Sequence, residues 1–180
     1  QPQHATRITT MAALAACEAI EAVTQQQPQI KWVNDIFLEG KKVCGILTEG
    51  SFNLETGQLD DVVVGVGFNV YPPAGGFPPE IAEIADSILQ KQHSGTKNKL
   101  AAAFLNFFSQ IYRGENDYAS AYRARSMVIG KSIVVSTPTA SRNASALDID
   151  RDCRLIVRYE DGSIASLSSA EVSIRTEGMR

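Results

Sequence analysis

The chain has 180 residues, 44% hydrophobic and 21% charged, a composition that excludes a disordered or fibrous protein and suits one globular domain or a domain with a small module. A net charge of −3, with basic residues scattered in short pairs such as Lys41-Lys42, argues against nucleic-acid binding by this segment. Three widely spaced cysteines, Cys17, Cys44 and Cys153, argue against a disulfide framework or zinc ribbon and fit the reduced core thiols of a cytoplasmic protein.

Helical spacing of Ile8, Met11, Ala12, Ala15, Ala19, Ala22 and Val23 predicts a helix over 8–23, its alanines set for close packing on a sheet. Pro28 ends that pattern. Residues 30–70 read as a meander of three strands, with "IKWVN" first and "VVVGVGFNV" last. Gly40-Lys41 reads as a two-residue turn of type II′. The run of valines suggests burial on both faces, and at this length it falls far short of a membrane span. With no signal peptide, no membrane association is expected.

The prolines of "YPPAGGFPPE" predict a loop, followed by a short helix over 80–90. Leu100, Ala103, Phe104, Phe107, Phe108, Ile111 and Tyr112 form an apolar stripe on a helix near 99–112 and are expected to be core. A polar helix is expected over roughly 115–126. From Val128 onward come five short strand candidates, "GKSIVVS", "ASALDI", "RLIVRYE", "SIASLS" and "EVSIR", with Asp161-Gly162 marking a hairpin. The predicted fold is α+β: part of a mixed β-sheet packed with helices over 1–127, then a small β-barrel over 128–180.

The chemistry gathers in two stretches. Strand alternation places Lys31, Val33 and Asp35 on one face of "IKWVND" and Ile30, Trp32 and Asn34 on the other. Lys31 is then either a solvated edge-strand lysine or a cation placed to meet a carboxylate or phosphate. In "GVGFN", Gly65 and Gly67 leave one strand face bare, which suits a flat ligand or close packing against a helix. No third glycine follows at the dinucleotide-binding spacing, because position 70 is Val. With only His4 and His93, neither a His-based metal site nor a Ser-His-Asp triad has the residues it needs.

In order and spacing, "KWVND", "GKKVCGILTE" and "GVGFN" resemble the biotin–protein ligases, and "LDIDRDCRLIVRYEDGSIASLSSAEVSIR" is similar to the SH3-like barrel that closes them. The resemblance runs from about Met11 to Arg175. It implies ATP-dependent attachment of biotin to a lysine of a biotin carboxyl carrier protein through biotinyl-5′-adenylate, with Mg2+ accompanying ATP. It implies that Lys31 is the catalytic cation, reaching the biotin carboxylate and the α-phosphate. Gly45, Ile46, Gly65 and Gly67 would line the biotin pocket, and Phe68 and Asn69 would meet the adenylate. Trp32, Asn34 and Asp35 are secondary candidates, the last two as shapers of the turn after the strand.

The sequence departs from the family at Val33, where proline is usual, at Cys153, where a turn glycine is common, and at Ala170, often glycine. It also lacks the family's Gly-Arg-Gly-Arg-x-Gly-Arg loop. With a start that lacks methionine, this suggests a fragment of the catalytic domain, inactive alone. The alternatives are a non-catalytic biotin- or carrier-binding module and a lipoate ligase relative. Trp32, Asn34, Asp35 and the barrel favour biotin. A homodimer is compatible with the resemblance.

Overall fold

A computed structural model describes residues 2–52, 59–114 and 117–174. Helix α1 (Pro2–Thr24) lies at its centre. Ala12, Ala13, Ala15, Ala16, Cys17, Ala19 and Ile20 are all fully buried. Such a helix must be enclosed on all sides, and its small side chains let neighbours approach closely. Gln25 follows α1 in the left-handed region, at φ 61°, a common way to end a helix.

The segment expected as a three-stranded meander forms four strands: β1 (Gln29–Lys31), β2 (Asp35–Leu38), β3 (Lys41–Phe52) and β4 (Leu59–Phe68). They pair in that order, each antiparallel to the next. The first strand stops at Lys31 because residues 32–34 turn. Short connections of this kind can join only antiparallel strands, so the parallel component of the expected mixed sheet is limited, among the described residues, to isolated bridges at Ile30–Ser126 and Lys42–Ala85. The hairpin turn lies one residue earlier than expected. Leu38 pairs with Lys41, and Glu39 and Gly40 both have positive φ, 49° and 81°, as a type I′ turn requires.

No helix forms over 80–90; these residues make turns and extended backbone. The Lys42 amide donates to Ile84 O and the Asp86 amide to Lys42 O. The Ile88 and Leu89 amides donate to Asn69 O and Val70 O. A helix this short is marginal in water, and tertiary backbone bonds replace it.

Helix α2 (Thr96–Tyr112) carries the predicted stripe, but only part of it is core. Leu100 and Ile111 are buried, Phe104, Phe107 and Phe108 are half-buried, and Tyr112 is 64% exposed. Phe104 meets Phe68 edge-on, with centroids 6.0 Å apart, and stacks on Phe108. Helix α3 (Tyr118–Ala124) is capped by Asp117, whose side chain accepts from the Ser120 amide.

Strands β5 (Ser132–Ser136), β6 (Ser141–Ile149), β7 (Leu155–Tyr159), β8 (Ile164–Leu167) and β9 (Glu171–Ile174) match the five expected. They form one antiparallel sheet in the order β8-β7-β6-β5-β9, with a register shift between Ala146 and Asp148. Ile133, Val135, Ala146, Leu155, Val157 and Val172 fill its inner face, continuous with the core around α1. Trp32 Nε1 donates to Cys153 O at 2.9 Å and so ties the turn after β1 to the β6–β7 connection of the second sheet, and the Tyr122 hydroxyl of α3 donates to Val33 O of the same turn at 2.9 Å.

Candidate functional site

Register builds the site. Lys31 pairs with Asp35, Asp35 with Gly45, and Gly45 with Gly67, one row across all four strands of the first sheet. Residues directly opposite one another project on the same face. The adjacent row is Ile30, Ile36, Cys44 and Phe68. It faces the helices: Ile30, Ile36 and Cys44 are buried to within 1%, and Phe68 packs against Phe104. The Lys31 row therefore projects from the side of the sheet away from the helices.

That open face has an unusual floor. Gly45, Gly65 and Gly67 carry no side chains there, and Gly65 pairs with Leu47, which is 63% exposed. Val63, further along β4 on the same face, is 66% exposed. Bare backbone edged by apolar side chains suits a flat, largely apolar ligand. Lys31 stands at one end, its Nζ 6.0 Å from the centroid of Phe37. Among the described residues it has no ion pair.

Lys42 joins this face because of a β-bulge. Ile36 pairs with Cys44 but Phe37 with Lys42, so Val43 is the extra residue. Plain alternation would put Lys42 beside Cys44 on the core face. The bulge turns it outward, where its Nζ lies 2.6 Å from Asp35 Oδ1. The pair passes directly over Gly45: a Cβ there would lie 3.2 Å from Lys42 Cε.

The other candidates hold this arrangement from outside it. The Asn69 amide donates to Val43 O at 2.8 Å, and its Nδ2 donates to Lys42 O and Asp86 O, so Asn69 clamps the bulge. Asn34 Nδ2 donates to Ile46 O at 2.7 Å, and the Ile46 amide donates to Asn34 O. Ile46 points into the core with both of its backbone polar groups engaged. Phe68 also lies on the helix side, and Trp32 is buried against the second sheet. Of the residues singled out in the sequence, the fold thus brings Lys31, Asp35, Gly45, Gly65 and Gly67 onto one face, while Trp32, Asn34, Ile46, Phe68 and Asn69 direct their side chains elsewhere. Lys42 is the addition. The only sequence signal for it is the second lysine of "GKKV", and the bulge that re-aims it is invisible to alternation. Cys153, at the position where a turn glycine is common, has φ 58°. A left-handed conformation explains that glycine preference.

Burial pushes the Cys17 thiol up to about 12 and raises those of Cys44 and Cys153. All three cysteines are free and buried, as expected of core thiols. Among the described residues, no helix is long and apolar enough to cross a membrane.

Known proteins share this organisation. The model of the Biotin/lipoate A/B protein ligase family matches residues 1–69, and that of the Biotin protein ligase C terminal domain matches 128–175. The chain is 30% identical over 165 residues to the biotin–acetyl-CoA-carboxylase ligase of Paracoccus denitrificans, spanning 88% of this chain and 69% of that protein. It is 30% identical over 180 residues to the Bifunctional ligase/repressor BirA of Bacillus spizizenii, spanning 96% of this chain and 54% of the relative. The chain thus spans about half the length of that relative. Its fold is similar to the solved biotin protein ligase from Aquifex aeolicus in complex with biotin and ATP, with a TM-score of 0.73 at 20% identity over 94% of this chain and 71% of that one.

Proposed function

The chain belongs to the biotin–protein ligase family, and from that membership we propose that it activates biotin with ATP and transfers it to a lysine of a biotin carboxyl carrier protein. Residues 1–127 serve as part of the catalytic domain and 128–180 as the SH3-like module, a division that fits the two family matches. One observation carries the proposal: Lys31, Asp35, Gly45 and Gly67 share a row on the open face of the sheet.

In the first step the biotin carboxylate attacks the α-phosphorus of ATP. Pyrophosphate leaves and biotinyl-5′-adenylate forms. Mg2+ enters with ATP as part of the substrate. Two anions must meet, and charge grows on the phosphoryl oxygens. Lys31 supplies a fixed cation at the end of the glycine floor, where it can bind the carboxylate and stabilise that charge. Loss of one such donor typically lowers the rate by about 10²–10³. The bare backbone of Gly65 and Gly67 lets the flat ring system of biotin lie against the sheet, beside the Lys42–Asp35 pair that crosses Gly45. In the second step the carrier lysine attacks the acyl carbon and AMP leaves.

Sequence departures set a limit on the isolated chain. Without a glycine–arginine run, residues 1–180 hold the triphosphate through fewer donors, and positioning of this kind can supply roughly 7–11 kcal/mol of a barrier. The test compares residues 1–180 with the full-length protein, by calorimetry with biotin and ATP and by carrier labelling. The expected result is ATP-dependent labelling by the full-length protein and weak biotin binding by residues 1–180. Transfer of lipoate in place of biotin by the full-length protein, or no transfer of either, would overturn the reading.

A further inference from the structure

Lys31 stands on the shortest strand of the first sheet. Strand β1 has three residues, lies at the edge beside β2 and ends at Lys31. The turn that follows therefore helps to decide where the lysine sits. A cation that must meet a growing charge works only if its place is fixed, and a shift of about 1 Å can cost about 10²-fold in rate.

The backbone around Lys31 is held from several sides. Before it, the Ile30 amide donates to Arg125 O, and Ile30 O accepts from the Met127 amide. After it, Trp32 Nε1 donates to Cys153 O, and Asn34 and Ile46 bond each other in both directions. Between these, Val33 O accepts from the Tyr122 hydroxyl at 2.9 Å. Valine does not fix φ as a proline ring does, so this bend is restrained from outside.

Tyr122 is suited to that task. It lies on α3 and is fully buried, so the packed core leaves its ring little freedom. Burial pushes its phenol well above the ordinary range, which keeps the hydroxyl a donor at any working pH. A buried carbonyl such as that of Val33 is costly to leave unbonded, so the hydroxyl and the turn hold each other in register.

We propose that Tyr122 is a positioning residue: through Val33 O it fixes the 32–34 turn, and so the place of Lys31 at the end of the glycine floor. The role rests on the reading of Lys31 as the catalytic cation. Tyr122 touches no reacting atom, because it lies in the core and Lys31 projects from the open face.

Tyr122→Phe removes one hydroxyl and keeps the ring. In the full-length protein it should speed hydrogen exchange of the 32–35 amides by about fivefold and leave those of β5 to β7 unchanged. The kcat for pyrophosphate release with biotin and ATP should fall by about ten- to a hundredfold, less than in Lys31→Ala. In a Lys31→Ala background, Tyr122→Phe should cost less than about twofold more, because residues that act as a unit are not additive. Replacing Tyr122 with 4-aminophenylalanine restores a donor at the same place and should return exchange and kcat toward wild type. A purely structural Tyr122 predicts a lower melting temperature with an unchanged kcat, or losses that multiply in the double variant.

Unchanged exchange at 32–35, a kcat equal to that of wild type, multiplying losses, or no recovery with 4-aminophenylalanine overturns the proposal and leaves the ligase reading standing. A Tyr122→Phe protein that fails to fold also overturns it, since the hydroxyl then serves the fold. If exchange rises as expected while no form, wild type included, releases pyrophosphate with biotin and ATP, the hold of Tyr122 on the turn stands and the ligase reading falls.

Discussion

Two adjacent rows of the first sheet differ by one residue in sequence and by everything in environment. Ile30, Ile36, Cys44 and Phe68 face the helices; Lys31, Asp35, Gly45 and Gly67 face away. The same four strands and backbone bonds carry both. Along a strand, a step of one residue reverses the face, so a protein can place its core and its site on the same strands without either intruding on the other. The comparison teaches that damage should divide cleanly: substitutions in one row should cost stability, and in the other, function.

The sharpest way to break that division is on the core row. Ile36 is fully buried, so Ile36→Ala should cost about 2–5 kcal/mol in denaturant unfolding. A loss under 1 kcal/mol would mean that the inner face is loosely packed. Next comes its neighbour on the open row. Lys31→Ala in the full-length protein should lower biotin-dependent pyrophosphate release by about 10²–10³ with an unchanged melting curve. Near-normal turnover would remove Lys31 from the site.

Between the rows lies the turn that joins them. Trp32→Phe removes the indole N–H from Cys153 O and leaves a carbonyl unsatisfied, which should cost about 1–3 kcal/mol. If the stability of the protein is unchanged, the contact between the sheets does not depend on this bond. The smallest effect concerns pH. Cys17, held up to about 12 by burial, stays protonated in the folded state, whereas the unfolded chain releases the proton near pH 8.5. The unfolded state then binds fewer protons, so the contribution of the thiol is full below about pH 8.5 and is lost as pH rises toward about 12. Between about pH 7 and about pH 9, Cys17→Ala should therefore lose less stability than wild type, by about 1 kcal/mol. Equal losses in urea unfolding would show that the thiol does not contribute.

The failures of sequence reading have local causes. The helix expected over 80–90 depended on periodicity, and backbone bonds from Lys42, Asn69 and Val70 overrode it. The stripe on α2 predicted a buried face, but how far a face is covered depends on what packs there, and Tyr112, stacked on Phe108, stays exposed. The turn at Glu39-Gly40 shifted by one residue because a non-glycine, Glu39, adopted positive φ.

By itself the sequence determined the elements that rest on local chemistry: the alanine helix, the strands of the second sheet, the break at Pro28, and the placement of Lys31 on the face opposite Ile30. These follow from side-chain period and turn residues, which need no knowledge of the rest of the chain. Tertiary structure alone decided which strands lie beside which, and so that Lys31, Asp35, Gly45 and Gly67 form one row. It also decided that Lys42 faces Asp35. The physical reason is that one extra residue at Val43 reverses the face of every residue beyond it, and a bulge is set by pairing between strands rather than by the residues of either strand.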